Sequence, residues 1–117
     1  MKALERTARA NKVPRPNKNA KRAKRDHKPY GVYQIFAKRT STKRPAVFKY
    51  GITRVGARRP QSQKSTCERH FRRECGWVWM RRYVGGWYRA RQIEMGHTAA
   101  YAATHKGKFP PGMPRGL

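Results

Sequence analysis

The sequence predicts a small α+β domain, in which a three-stranded, mainly antiparallel sheet is flanked by helices in the order β-β-α-β-α. Three observations lead to this prediction. Two runs rich in Val, Ile, Phe and Tyr flank a polar connection, a third run is rich in aromatic residues, and two further stretches show helical spacing. With 117 residues and 37% hydrophobic content, the chain is long enough for one such domain and a tail.

Residues 1–29 are predicted to form a disordered basic arm or linker that precedes the domain over residues 30–117. Residues 1–28 contain eleven Lys and Arg, two acids and two Pro, and hardly any large apolar residue. Such a composition does not offset the entropy cost of folding. The arm has two interpretations, a solvated linker and a tail that binds phosphates, and the sequence leaves both open.

The domain is predicted to begin with a β-hairpin. Its strands are Gly31–Phe36 and Ala46–Thr53, and the polar stretch Lys38–Pro45 connects them. Side chains alternate between the two faces of a strand, and neither strand has an entirely apolar face. At least one side of the sheet must therefore meet solvent, a helix with polar partners or a ligand.

The stretch Gln61–Glu74 has the composition of a helix, and the four-residue spacing of Cys67, Phe71 and Cys75 gives that helix an apolar stripe. On one continuous helix the two cysteines would lie about 12 Å apart, which is too far for a bridge. We therefore expect two small, partly buried thiols rather than a disulfide. No Cys/His cluster indicates zinc.

The rest of the domain is predicted to contain a strand, a helix and a tail. Trp77–Val84 has the aromatic and β-branched content of a third strand, and a Gly-Gly pair closes it. From Trp87 to about Thr104, a three- and four-residue spacing and many Ala predict a second helix. The Pro-rich end is predicted to be an extended tail that can pack Phe109 back onto the domain.

The charge of the chain indicates its partner. Thirty Lys and Arg against five acids give a net charge of +25, which opposes compaction and favours a polyanion, with nucleic acid first among the choices. No apolar run approaches the 18 residues of a membrane span, and no signal peptide or lipidation motif is present. We therefore expect no membrane partner.

Two motifs on the hairpin resemble those of the GIY-YIG nuclease superfamily. The first strand carries Gly31-Val32-Tyr33, and the second carries Lys49-Tyr50-Gly51 followed by Ile52 and Thr53. Gly51 and Thr53 match the family's Gly-x-Thr. Lys49 stands where the family has its first Tyr, as in branches with Lys-Ile-Gly-x-Thr. The order β-β-α-β-α is also that of the family core, so the resemblance extends from about Pro29 to Thr104.

The resemblance implies a metal-dependent endonuclease that cleaves phosphodiester bonds, with DNA favoured and RNA as the other candidate. The family's Arg near the first helix is matched by Arg59, with Arg58 as its neighbour, and the family's Glu on the last helix is matched by Glu94. Glu94 would bind Mg²⁺ or another divalent cation. The implied catalytic residues are Tyr33, Lys49, Arg59 and Glu94. His97 joins them as a candidate proton acceptor because it lies three residues after Glu94, on the same side of the helix. The residues expected to bind nucleic acid are Arg54, Arg58, Arg81, Arg82 and Arg91.

Each of these residues also has a simpler interpretation. Glu94 can be a surface residue paired with Arg91 on its own helix, and Tyr33 can be an aromatic residue that fills one face of the sheet. His97 fits a packed or solvated histidine better than a proton acceptor. The aromatic and Arg residues between 77 and 91 can form a surface that stacks on single strands, whereas the simpler interpretation places the Trp residues in the core.

The end of the chain resembles one branch of this superfamily more closely. Ala90-Arg91-x-x-Glu94 and the tail Pro110-Pro111-Gly112 are similar to C-terminal nuclease modules of bacterial polymorphic toxins, although Met113 stands where that tail often has Asn. This resemblance implies an acidic immunity partner and action in the bacterial cytoplasm after delivery within a larger secreted protein. The alternative function is a non-enzymatic nucleic-acid-binding or ribosome-associated protein, for which the charge alone suffices.

Overall fold

The computed structural model describes residues 27–54 and 59–114, and the predicted basic arm lies almost entirely outside them. The elements are β1 (Pro29–Ala37), β2 (Ala46–Arg54), α1 (Arg59–Phe71), β3 (Cys75–Gly85) and α2 (Trp87–Thr104). The order β-β-α-β-α is therefore confirmed, and each predicted strand is extended by one to three residues.

The three strands form one antiparallel sheet in the order β2-β1-β3, so the first strand of the chain is the central one. In β1, the neighbours Val32 and Tyr33 are both fully buried although they point to opposite faces. Tyr33 packs in a cluster that includes Cys67 of α1, and Val32 packs in a second cluster that includes Ala90 of α2. The sheet therefore has a helix on each face, while Val78 and Met80 of β3 remain exposed.

The structure corrects the prediction for the two cysteines. Helix α1 ends at Phe71, three residues before its predicted end, and Arg72 has a left-handed backbone with φ of 54°. The chain then reverses, and Cys75 becomes the first residue of β3 instead of the next position of the helical stripe. The reversal brings the two Cα atoms to 6.2 Å, and Cys67 and Cys75 form a disulfide. The expectation of two free thiols was wrong because it assumed a continuous helix.

Helix α2 has the predicted bounds, and its buried face follows four-residue steps through Ala90, Glu94, Thr98 and Ala102. This face places a carboxylate among small residues and turns it toward the sheet. Neither helix in the described part of the chain is both long and apolar enough to cross a membrane.

The Pro-rich tail packs back onto the domain, as predicted, but it is turned and not extended, since the Met113 amide donates to the Pro110 carbonyl at 3.0 Å. Its contacts include two hydrogen bonds with β2. The Gly112 amide donates to the Phe48 carbonyl at 2.7 Å, and the Tyr50 amide donates to the Met113 sulfur at 3.2 Å. Phe109 is half-buried, and Met113 is buried. The tail therefore covers the edge of β2 that faces away from β1.

Candidate active site

A cavity of about 340 Å³ lies where β2, the start of α1, the buried face of α2 and the tail meet. Four of the five predicted catalytic residues line it: Tyr33, Lys49, Arg59 and Glu94. They come from four different elements, so only the folded chain brings them together. Arg91 also lines the cavity, which gives it three cationic side chains and one carboxylate among the described residues.

The close pairing of β1 with β2 positions Tyr33. Tyr33 lies opposite Gly51 in the register, and its ring and hydroxyl occupy the space where a Cβ on Gly51 would be. Only glycine at this position allows the ring to cross the neighbouring strand. The Tyr33 hydroxyl then donates to Gln63 Oε1 at 2.7 Å.

Burial dominates the electrostatics of Tyr33. It raises the pKa of the phenol to about 12, although the Arg59 charge lowers the pKa and the Glu94 charge raises it. Tyr33 therefore keeps its proton at neutral pH. The hydroxyl hydrogen is directed to Gln63, so the oxygen lone pairs remain for a water or substrate hydrogen.

Glu94 is 3% exposed, which is unusual for a carboxylate. Its Oε1 accepts a hydrogen bond of 2.6 Å from Arg91 Nη1, three residues earlier on α2. Burial raises the pKa of Glu94, and Arg91, Lys49 and Arg59 oppose that rise. The simpler interpretation was correct about the Arg91 partner, but the pair lies in a cavity and not on the surface.

Lys49 and Arg59 place two more cations beside Glu94. Burial and the Arg59 charge lower the pKa of Lys49, and the Glu94 charge partly restores it. Lys49 therefore carries a larger neutral fraction at a given pH than an exposed lysine does. Arg59 is exposed and is the first residue of α1, so its guanidinium can meet a ligand that enters from solvent.

The cavity offers one carboxylate to a divalent cation, which suits only a cation that keeps most of its water ligands. Among residues 27–54 and 59–114, no three His, Cys, Asp or Glu side chains come close enough to hold a metal ion. Within that part of the chain, Glu94 Oε1 accepts a hydrogen bond from Arg91, and Glu94 Oε2 has no hydrogen bond. A single carboxylate oxygen suits Mg²⁺, which keeps most of its waters and takes further oxygens from a substrate phosphate.

His97 does not line the cavity. Its ring stacks on Tyr50 with centroids 5.4 Å apart, and burial lowers its pKa. This position agrees with the packed histidine that was the better interpretation of the sequence.

The residues expected to bind nucleic acid are not all equivalent in the structure. Arg54, Arg81 and Arg82 are exposed on the strands, while Arg91 is partly buried against Glu94. Its buried Nε has no hydrogen-bond partner among the residues that the structure describes. Arg58 lies outside the described residues.

Sequence reasoning missed Gln63 as the hydrogen-bond partner of Tyr33, and it missed that Arg91 lines the cavity. Gln63 lies four residues after Arg59, so one helical turn places both on the same side of α1. That spacing was a usable signal once Arg59 had been chosen. The Gln63 partner, Tyr33, is 30 residues away in the chain, and no local pattern predicts such a contact.

Comparisons of the chain with protein-family models, curated proteins and solved structures return no match.

Proposed function

We propose that this chain is a metal-dependent endonuclease that cleaves nucleic-acid phosphodiester bonds, with DNA as the favoured substrate. One observation carries the proposal: a carboxylate that is 3% exposed lies at a cavity lined by Lys49, Arg59 and a tyrosine hydroxyl. Burying a carboxylate is costly, and a protein that only binds phosphates gains nothing from a negative charge at that place. A phosphodiesterase uses all four groups.

Each side chain has a distinct role in this proposal. Arg59 binds the non-bridging oxygens of the scissile phosphate through its planar guanidinium, which offers two parallel hydrogen bonds. Tyr33 accepts a hydrogen bond from the attacking water and orients it, because its own proton is held by Gln63. With a pKa of about 12, Tyr33 is suited to orienting the water rather than to deprotonating it.

As the attacking water oxygen bonds to phosphorus, the bond from phosphorus to the leaving oxygen breaks, and the leaving oxygen takes a proton from solvent. Lys49, whose pKa is lowered, accepts the proton of the attacking water in the fraction of molecules in which its amine is neutral. When Lys49 has taken that proton, its positive charge stabilises the charge that builds up on the phosphoryl oxygens. Glu94 would hold the divalent cation. The cation, when bound, supplies further positive charge at the phosphate.

Incubation with plasmid DNA and with RNA, each with Mg²⁺ and with a chelator, tests this proposal. We expect nicked and linear plasmid with Mg²⁺ and intact plasmid with the chelator. Cleavage that continues in the chelator would contradict the metal dependence, and the absence of cleavage of either polymer would contradict the nuclease.

The second candidate, a non-enzymatic nucleic-acid binder, is favoured by the net charge of +25 alone. It predicts tight, salt-sensitive binding with no strand breakage in the same incubations. The prediction of a toxin module with an acidic partner rests on the resemblance of residues 90–113 and stays a prediction.

A further inference from the structure

Strand β3, at the sheet edge opposite β2, carries aromatic and cationic side chains in an irregular segment. In β3, Trp79 pairs with Tyr33, Arg81 with Val32, and Val84 with Tyr30. Six residues of β3 therefore oppose four of β1, so β3 contains two successive bulges. Bulges redirect side chains and are common beside active sites.

The second bulge places Tyr83 in an unfavourable backbone conformation. Its φ is 61°, in the left-handed region that a bulky aromatic residue rarely adopts. Tyr83 is nevertheless 66% exposed, so its ring adds little to the core. A strained residue with an exposed ring indicates a function outside folding.

Arg82 connects Tyr83 to Trp79. Its guanidinium carbon lies 5.1 Å from the centroid of the Tyr83 ring and 5.7 Å from that of Trp79. Both separations are within the range of a cation–π contact. We call these three side chains, Trp79, Arg82 and Tyr83, the β3 surface.

The β3 surface adjoins the candidate active site. The Trp79 ring crosses Gly31, where an added Cβ would collide with it, and it makes an edge contact with Tyr33 at a centroid distance of 6.4 Å. Tyr33 lines the cavity. The β3 surface therefore contacts, through Trp79, the residue proposed to orient the attacking water.

We propose that the β3 surface binds an unpaired nucleotide of the substrate, with the base stacked on Tyr83 and a flanking phosphate bound by Arg82. Aromatic rings stack on any base whose face is free, and a base within a duplex has both faces covered by its neighbours. The chain's charge of +25 fits a polyanionic ligand and not a basic one. The substrate class is therefore single-stranded or locally unpaired nucleic acid. That the bound strand is also cleaved rests on the proposed function.

The test measures binding without cleavage, using the Glu94→Gln protein in chelator and a labelled oligonucleotide of about twelve nucleotides. Tyr83→Asn removes the ring and keeps a residue that tolerates the left-handed backbone, while Tyr83→Phe keeps the ring. We expect Tyr83→Asn to weaken single-strand binding about tenfold and Tyr83→Phe to leave it unchanged. The same variants should bind the matching duplex within about twofold of the parent.

Salt dependence separates the two contacts within the β3 surface. Tyr83→Asn removes no charge, so the slope of log affinity against log salt should not change, whereas Arg82→Gln should reduce the slope by about one. Equal losses on single strand and duplex would overturn the proposal, as would an unchanged affinity of Tyr83→Asn. A variant that loses self-association in sedimentation and binds the oligonucleotide normally would assign the surface to a second copy of the chain instead.

These outcomes are independent of cleavage. A wild-type chain that cleaves, together with unaltered binding by Tyr83→Asn, contradicts the β3 surface alone. Selective loss of single-strand binding in a chain that never cleaves supports the β3 surface and contradicts the nuclease.

Discussion

Tyr33 has both a packing role and a proposed chemical role, and its hydroxyl separates them. Tyr33→Phe keeps the ring against Gly51 and removes the hydrogen bond to Gln63. We expect the cleavage rate to fall at least about tenfold, because the water loses its acceptor. The free energy of unfolding should fall by only about 1 kcal/mol, for the lost donor to Gln63.

Plasmid cleavage and urea denaturation measure these two effects. Tyr101→Phe is the matched control, since Tyr101 does not line the cavity. If Tyr33→Phe cleaves as fast as the control, Tyr33 is a sheet aromatic and nothing more.

Glu94 is expected to make the fold less stable as its carboxylate ionises. Burial raises its folded-state pKa above the ordinary value, so between these two values the folded protein binds more protons than the unfolded chain does. The stability that protonated Glu94 contributes is therefore lost as the pH rises from the ordinary pKa of a glutamate through the raised pKa of the folded state. Glu94→Gln cannot ionise and keeps an oxygen for Arg91.

The measurement is the free energy of unfolding of both proteins in urea from pH 4 to pH 8. The free energy of unfolding of Glu94→Gln minus that of the parent should increase with pH and then level off. A difference that stays constant would mean that burial does not perturb Glu94.

The site residues show what a single sequence can predict. Tyr33, Lys49, Arg59 and Glu94 were selected from a resemblance of short motifs and from helical spacing, and the structure brings all four to one cavity. The sequence could not show that Glu94 is buried, because the buried face of α2 depends on how the helix rotates against the sheet. It also could not show that Gln63 accepts the hydrogen bond of Tyr33, because this contact forms only when α1 packs on β1.

At the scale of elements, the disulfide fixes the end of α1 to the start of β3. It closes a short loop that the left-handed residue Arg72 already reverses. A loop of this length predicts a stabilisation of about 2–3 kcal/mol by restriction of the unfolded chain. Reduction should therefore lower the free energy of unfolding by about that amount.

Urea denaturation with and without a thiol reductant measures the effect. The double variant Cys67→Ala and Cys75→Ala is the control, and the reductant should not alter its denaturation. A parent protein that is equally insensitive would indicate that the two cysteines are not bonded in solution.

The elements themselves were predicted because their patterns are local. Alternating β-branched and aromatic residues indicated β1 and β2, and the Ala-rich spacing gave the bounds of α2. The predicted end of α1 was wrong because Arg72, Arg73 and Glu74 have ordinary helical propensities. The chain reversal at these residues depends instead on the contacts of β3 with β1. The bulges of β3 were missed for a related reason, since a bulge is defined only by the partner strand.

For the whole molecule, the large positive charge predicts how binding depends on salt. Deleting residues 1–28 removes eleven Lys and Arg and no described core residue. We expect weaker nucleic-acid binding and a shallower slope of log affinity against log salt, with a cooperative melt retained. Loss of the cooperative melt would show that the arm is part of the fold.

We propose above that the buried Glu94 serves metal-dependent cleavage. The most direct measurement compares plasmid cleavage by Glu94→Gln and by Glu74→Gln at saturating Mg²⁺, together with binding of both variants to the same DNA. Glu74 has a side chain that is 69% exposed and pairs with Lys38, so its substitution removes a carboxylate of the same size outside the cavity. We expect Glu94→Gln to lose cleavage while its binding is equal or tighter, and Glu74→Gln to cleave like the parent. Equal cleavage by the two variants would contradict this proposal.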